Sequence, residues 1–169
     1  MKFRDIPKLT SVRGYNINVF LHQLKRIIDE YLESGLEMNP DFQRGHVWTE
    51  TQQIRYVEYF LRGGISARTI YFNSPNFLMG ELPFVLVDGL QRITALLRFL
   101  NNEIKAFGLY YREFEGRTDV SLVFIVNDLK TREEVLQWYI EMNSGGTIHS
   151  DAEIERVKML LEEELRKNE

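Results

Sequence analysis

The chain has 169 residues, 44% hydrophobic and 12% aromatic, which is enough to bury the core of one domain. It has no cysteine, so disulfide frameworks, thiolate zinc sites and cysteine nucleophiles are excluded together. A net charge of -4 argues against a broad basic coat for nucleic acid. No apolar run approaches the roughly 18 residues of a membrane span, so a cytoplasmic protein with no membrane partner is expected.

Ile17, Phe20, Leu21, Leu24, Ile27, Ile28, Tyr31 and Leu32 recur at three- and four-residue spacings. They predict an amphipathic helix over 17–32, ended by Ser34-Gly35. Thr49 with Gln52 forms a capping-box pattern opening a helix to about Leu61, with Ile54, Val57 and Phe60 inward, and Gly63-Gly64 stops it. The β-branched and aromatic runs Thr69–Phe72 and Phe84–Val87 predict strands, separated by Ser74-Pro75-Asn76 and Gly80. Asp88-Gly89 then turns the chain into a helix from Leu90 to about Asn101, with Ile93, Leu96, Leu97 and Leu100 inward.

Two further strands are expected at Leu109–Phe114 and Ser121–Val126. Thr131 with Glu134 opens a helix to about Met142, carrying Val135, Trp138 and Tyr139. A last helix starts near Ser150, and its Glu162-Glu163-Glu164 run reads as a solvated face. Seven acidic residues against four basic ones from position 151 onward carry most of the net charge, which leaves room for a local basic cleft in the first 150. With no repeat, low-complexity stretch or linker, residues 1–169 are expected to form a single helix-rich α+β domain with a small mixed sheet.

Chemistry concentrates in three segments. In Phe84-Val-Leu-Val-Asp88-Gly89-Leu90-Gln91-Arg92 a buried-type strand meets a glycine turn and a helix N-terminus, a geometry suited to phosphate. There Arg92 can clamp a phosphate, Gln91 can hydrogen-bond it, and Asp88 can hold a metal ion or orient a water. Equally open is a structural role, with Asp88 an N-cap paired with Gln91 and Arg92 an ordinary surface residue.

The second segment, Asn39-Pro40-Asp41-Phe42-Gln43-Arg44-Gly45-His46-Val47-Trp48, has the density of polar and aromatic groups found in binding loops. Phe42 and Trp48 serve as core anchors in the structural alternative, and Arg44 as a salt-bridge partner. The third, Asn143-Ser144-Gly145-Gly146-Thr147, is either an anion nest or a plain helix connection. His22, His46 and His149 are too scattered for a zinc site.

Taken in order, FQRGxVW at 42–48, a strand ending in DGxQR at 88–92 with a leucine-rich helix after it, and NSGG at 143–146 before an acidic helix resemble the GmrSD restriction endonuclease N-terminal domain family, from about Met38 to about Val157. The resemblance implies a fold similar to ParB and sulfiredoxin and the binding, in several members hydrolysis, of a nucleoside triphosphate with Mg²⁺, in systems that restrict modified phage DNA. It assigns Asp88 and Gln91 to catalysis, Asp88 also to the metal, and Gln43, Arg44, Gly89, Arg92, Asn143, Gly145 and Gly146 to the nucleotide. Leu90 replaces a common second glutamine, and His46 a common aromatic residue.

Full-length members continue into an HNH-type nuclease domain. No such C-terminal domain is expected in 1–169, so cutting would need a separate nuclease or restriction subunit. The lack of cysteine excludes sulfiredoxin chemistry. Three readings from different classes follow: a nucleotide-binding switch; a DNA-binding module or metal-dependent nuclease in which Asp88 works with another acid such as Glu58; and a stand-alone phage protein engaging a host restriction complex. Homo-oligomers are compatible with each.

Overall fold

A computed structural model describes residues 1–10, 14–43, 45, 47–75, 84–144 and 151–167. Their strands are β1 (Tyr15–Phe20), β2 (Leu36–Glu37), β3 (Thr69–Asn73), β4 (Phe84–Asp88) and β5 (Ser121–Asn127). The helices are α1 (Leu21–Glu33), α2 (Glu50–Leu61), α3 (Leu90–Leu100), α4 (Arg132–Ser144) and α5 (Asp151–Lys167). The sheet order is β1-β5-β3-β4-β2. β1/β5 and β3/β4 run antiparallel, and β5/β3 and β4/β2 parallel, so the sheet is mixed and the fold α+β.

Each face of the sheet carries its own core. Phe84 and Leu86 of β4 join Ile70, Phe72 and Phe124 and the buried faces of α1, α2 and α3. Their alternates Val85 and Val87 join Phe42, Leu136, Trp138 and Tyr139 of the α4/α5 side, where Val157 of α5 is also buried. β4 is therefore covered on both faces, which explains its unbroken apolar run.

Local signals place the helices well. Gln52 N–H donates to Thr49 Oγ1 at 3.3 Å while Thr49 N–H donates to Gln52 Oε1 at 2.8 Å, closing the predicted capping box. Glu134 does the same for α4, accepting the Thr131 and Lys130 amides at 3.1 and 2.8 Å. The expected strands at 69–72, 84–87 and 121–126 each form and extend one residue further.

Two expectations are corrected. The helix predicted over 17–32 begins only at Leu21, because Tyr15-Asn-Ile-Asn-Val-Phe20 pairs residue by residue with β5 from Tyr15↔Val126 to Phe20↔Ser121. Ile17 and Val19 are β-branched and alternate with asparagines, which suits the sheet edge. The strand predicted at 109–114 is a loop. The chain reverses at Phe107 (φ 52°) and Gly108 (φ 81°), and the Tyr110 amide donates to Glu113 Oε2 at 2.7 Å over a 3-10 turn at Tyr111–Glu113. Its aromatics instead pack edge-on against Phe99, with centroids at 5.5 Å for Tyr111 and 5.8 Å for Phe114.

Candidate functional site

β4 runs buried to Val87 and surfaces at Asp88, where the chain turns at Gly89 into α3. Gly89 has φ 119°, and a Cβ there would lie 2.6 Å from Ile70 Cδ1 and 3.0 Å from its Cγ2. Backbone conformation and close packing against β3 thus both require glycine. Gly89, not Asp88, is the N-cap of α3, and no side chain caps the helix. The first bond into α3 runs from Ile93 N–H to Gly89 C=O at 3.0 Å. The Leu90, Gln91 and Arg92 amides therefore precede the helical ladder, at the positive end of the helix.

Arg92 Nη2 donates to Asp88 Oδ2 across this turn. The pair is half-sheltered, with side-chain exposures of 19% for Arg92 and 35% for Asp88. Tyr56 of α2 stands near enough for the Arg92 and Arg68 charges to favour its ionised form, yet burial dominates and pushes its hydroxyl pKa well above the ordinary tyrosine value. Its O–H donates to Ala67 C=O at 2.9 Å.

Gln91 reaches the loop before α2. Its Oε1 accepts the Val47 and Trp48 amides, both at 3.0 Å, and its Nε2 donates to Gly45 C=O at 3.2 Å. Trp48 packs against Tyr56 at 5.3 Å between centroids, and Trp48 C=O accepts Gln53 Nε2 at 3.0 Å. Arg98 of α3 then donates to Gln53 Oε1 at 2.7 Å and Glu50 Oε2 at 3.0 Å, locking α2 to α3 beneath the loop. The carboxylates of Glu50 and Glu103 raise the Arg98 pKa further.

The preceding residues are fixed to the other face. Gln43 Nε2 donates to Leu86 C=O in the middle of β4, and Phe42 packs edge-on against Tyr139 at 5.3 Å. Arg132 binds both Asp41 carboxylate oxygens, at 2.9 and 2.8 Å. Arg156 of α5 donates to the carbonyls of Phe42 and Gln43 at 3.2 and 3.1 Å. Sequence reasoning missed Arg156, Gln53 and Arg98, whose roles depend on tertiary approach. It also missed Asn73, 1% exposed, which exchanges hydrogen bonds with the Leu129 backbone at 3.1 and 2.9 Å.

Arg44, His46, Gly145, Gly146 and His149 lie outside the described residues. Asn143 occupies the end of α4 and donates to Tyr139 C=O at 2.7 Å. Glu58 accepts the Phe107 amide at 2.8 Å. His22 is exposed and stacks on Phe20 at 5.9 Å.

The arrangement is that of an α+β domain organised around one strand–glycine–helix turn, with a tethered loop beside it. Residues 24–117, more than half the chain, match the model of the GmrSD restriction endonuclease N-terminal domain, and the chain belongs to that family. A role related to restriction follows. The match covers the Asp88–Arg92 turn and the 42–48 loop, and ends before Asn143, Gly145 and Gly146. No curated protein and no solved structure matches the chain. No helix among the described residues is long and apolar enough to cross a membrane.

Proposed function

We propose that the turn at 88–92 binds a nucleoside triphosphate with Mg²⁺ and acts as a switch within a restriction system. The observation that carries this reading is the uncapped α3 N-terminus with the half-sheltered Arg92 one turn above Asp88. Three first-turn amides and a guanidinium then stand at one helix end, the chemistry that holds an anion.

Mg²⁺ suits a single carboxylate because it retains waters and shares phosphate oxygens. Binding would exchange the Asp88–Arg92 pair for Asp88 on the ion and Arg92 on phosphate. Both neighbours of Arg44 are bonded to the β4–α3 unit, Gln43 to Leu86 and Gly45 to Gln91, which supports a role for Arg44 at the same phosphates. Gln91, whose amide is committed to the loop, would hold that loop in register, and Asp88 would orient a water for hydrolysis. A thermal-shift panel of the four ribonucleoside triphosphates, with and without Mg²⁺, tests the reading. A rise with one triphosphate and Mg²⁺ supports it, and no rise with any at millimolar concentration removes it.

A further inference from the structure

The loop in front of the 88–92 turn is fastened at its two ends to different parts of the fold. Gln91 of α3 holds the backbone at 45–48. The 41–43 end is held from α4 and α5. Arg156 of α5 donates from one Nη2 to the Phe42 and Gln43 carbonyls, at 3.2 and 3.1 Å. Arg132 of α4 bridges Asp41 at 2.8 Å and Glu164 of α5 at 3.4 Å. Phe42, 3% exposed, is buried in the same core as Val157 of α5. Between the two ends, the Gln43 side chain donates to Leu86 C=O of the strand that leads to Asp88.

α5 itself is lightly anchored. Within 154–167 only Val157 is buried, while Met159 and Leu165 remain 53% and 50% exposed. A helix with so little buried apolar surface is among the first parts of a domain to open. The Arg132–Asp41 pair is exposed and adds little in water. The charge-assisted bonds of Arg156 are therefore the polar contacts that tie the docking of α5 to the position of the loop backbone.

We propose that α5 regulates the anion site, its docking and triphosphate binding favouring each other through the 41–48 loop. This rests on the 88–92 turn being a triphosphate site. Arg156 is then a positioning residue, acting through the backbone immediately before Arg44. With α5 docked, both ends of the loop are ordered before the ligand arrives, and less ordering is left for binding to impose. With α5 released, the Phe42 and Gln43 carbonyls lose their guanidinium donor. Because linkage is reciprocal, the ligand must favour docked α5 by the same factor by which docking raises affinity.

The test pairs hydrogen exchange with calorimetric titration of the four Mg²⁺-ribonucleoside triphosphates into the parent, Arg156→Ala and Arg156→Lys proteins. In the parent, the triphosphate that binds should slow exchange of the α5 amides by at least about fivefold. Arg156→Ala should weaken its binding by a similar factor and abolish the slowing. Arg156→Lys, which keeps a cationic donor for the same carbonyls, should restore part of both. Circular dichroism melts establish that each variant is folded. A merely structural Arg156 would speed α5 exchange equally with and without triphosphate and leave affinity unchanged, and that result would overturn the proposal. In the absence of ligand, Arg156→Ala should also speed exchange at the Val47 and Trp48 amides, which Gln91 holds at the loop's other end, by at least about fivefold. Unchanged exchange there overturns the coupling whether or not a triphosphate binds. Absence of triphosphate binding by the parent, with these amides still responding to Arg156→Ala, would instead remove the triphosphate site and uphold the coupling of α5 to the loop.

Discussion

Gln91 in the first turn of α3 holds the backbone of Trp48, 43 residues earlier, at 3.0 Å, and with the same amide grips Val47 and Gly45. One side chain thus joins the strand–glycine–helix turn to the loop in front of it. Gln91→Ala should lower stability by about 1–2 kcal/mol, three partly exposed bonds at the low end of neutral hydrogen-bond values. Limited proteolysis should cut within 45–48 faster than in the parent. Unchanged urea midpoint and cleavage would show that the loop is held by other contacts.

At Gly89 a methyl group meets Ile70 at 2.6 Å on a backbone of φ 119°. Gly89→Ala should therefore destabilise by on the order of 2–4 kcal/mol, combining backbone strain with overpacking. Pairing it with Ile70→Val should recover part of the loss, since the shorter side chain relieves contact but not conformation. Urea denaturation of the single and double variants reads both numbers, and no loss in the single variant would contradict the packing described.

Asn73→Ala leaves the Leu129 N–H and C=O without their partner at a site 1% exposed. A loss of about 2–4 kcal/mol is expected, from two buried backbone groups at roughly 1–2 each. A midpoint within experimental error of the parent would show that water replaces the amide.

Burial raises the hydroxyl pKa values of both Tyr31 and Tyr56, with the Tyr15 neighbour adding to the shift at Tyr31. A folded-state value above the unfolded value of about 10 means that the protonated ring stabilises the fold below that pH, and that this stability is lost as pH rises beyond it. Absorbance titration near the phenolate band should show Tyr31 and Tyr56 ionising late, with unfolding. Tyr56→Phe should remove one late step, and early ionisation of Tyr31 and Tyr56 would contradict the burial.

Much of this architecture was legible because its signals are local. The Thr49/Gln52 and Thr131/Glu134 boxes lie within four residues, and the apolar run of β4 marks a strand covered on both faces. β1 was hidden because Ile17 and Phe20 also fit the helical spacing of Leu21, Leu24 and Ile28, and only pairing with β5 settles the choice. The reversal at Phe107 depends on a positive φ that its residue type does not announce. At the candidate site the residue types were readable from the DGxQR turn, but their assignments were not. Gly89 rather than Asp88 starts α3, and Asp88 turns to Arg92. Arg156, in an acidic helix, gives no hint that it holds the Phe42 and Gln43 carbonyls.

The central claim, that Arg92 and the α3 N-terminus form a phosphate site, is tested most directly by calorimetric titration of Mg²⁺-triphosphate into the parent and Arg92→Ala proteins. The account predicts one-to-one binding by the parent and, at about 100 times the dissociation constant, about 2.7 kcal/mol of added stability, which is roughly 5–10 °C in melting temperature for a chain of this size. Arg92→Ala should remain folded and show no heat of binding. Binding by Arg92→Ala as tight as by the parent would contradict the account and leave Arg92 as a structural partner of Asp88.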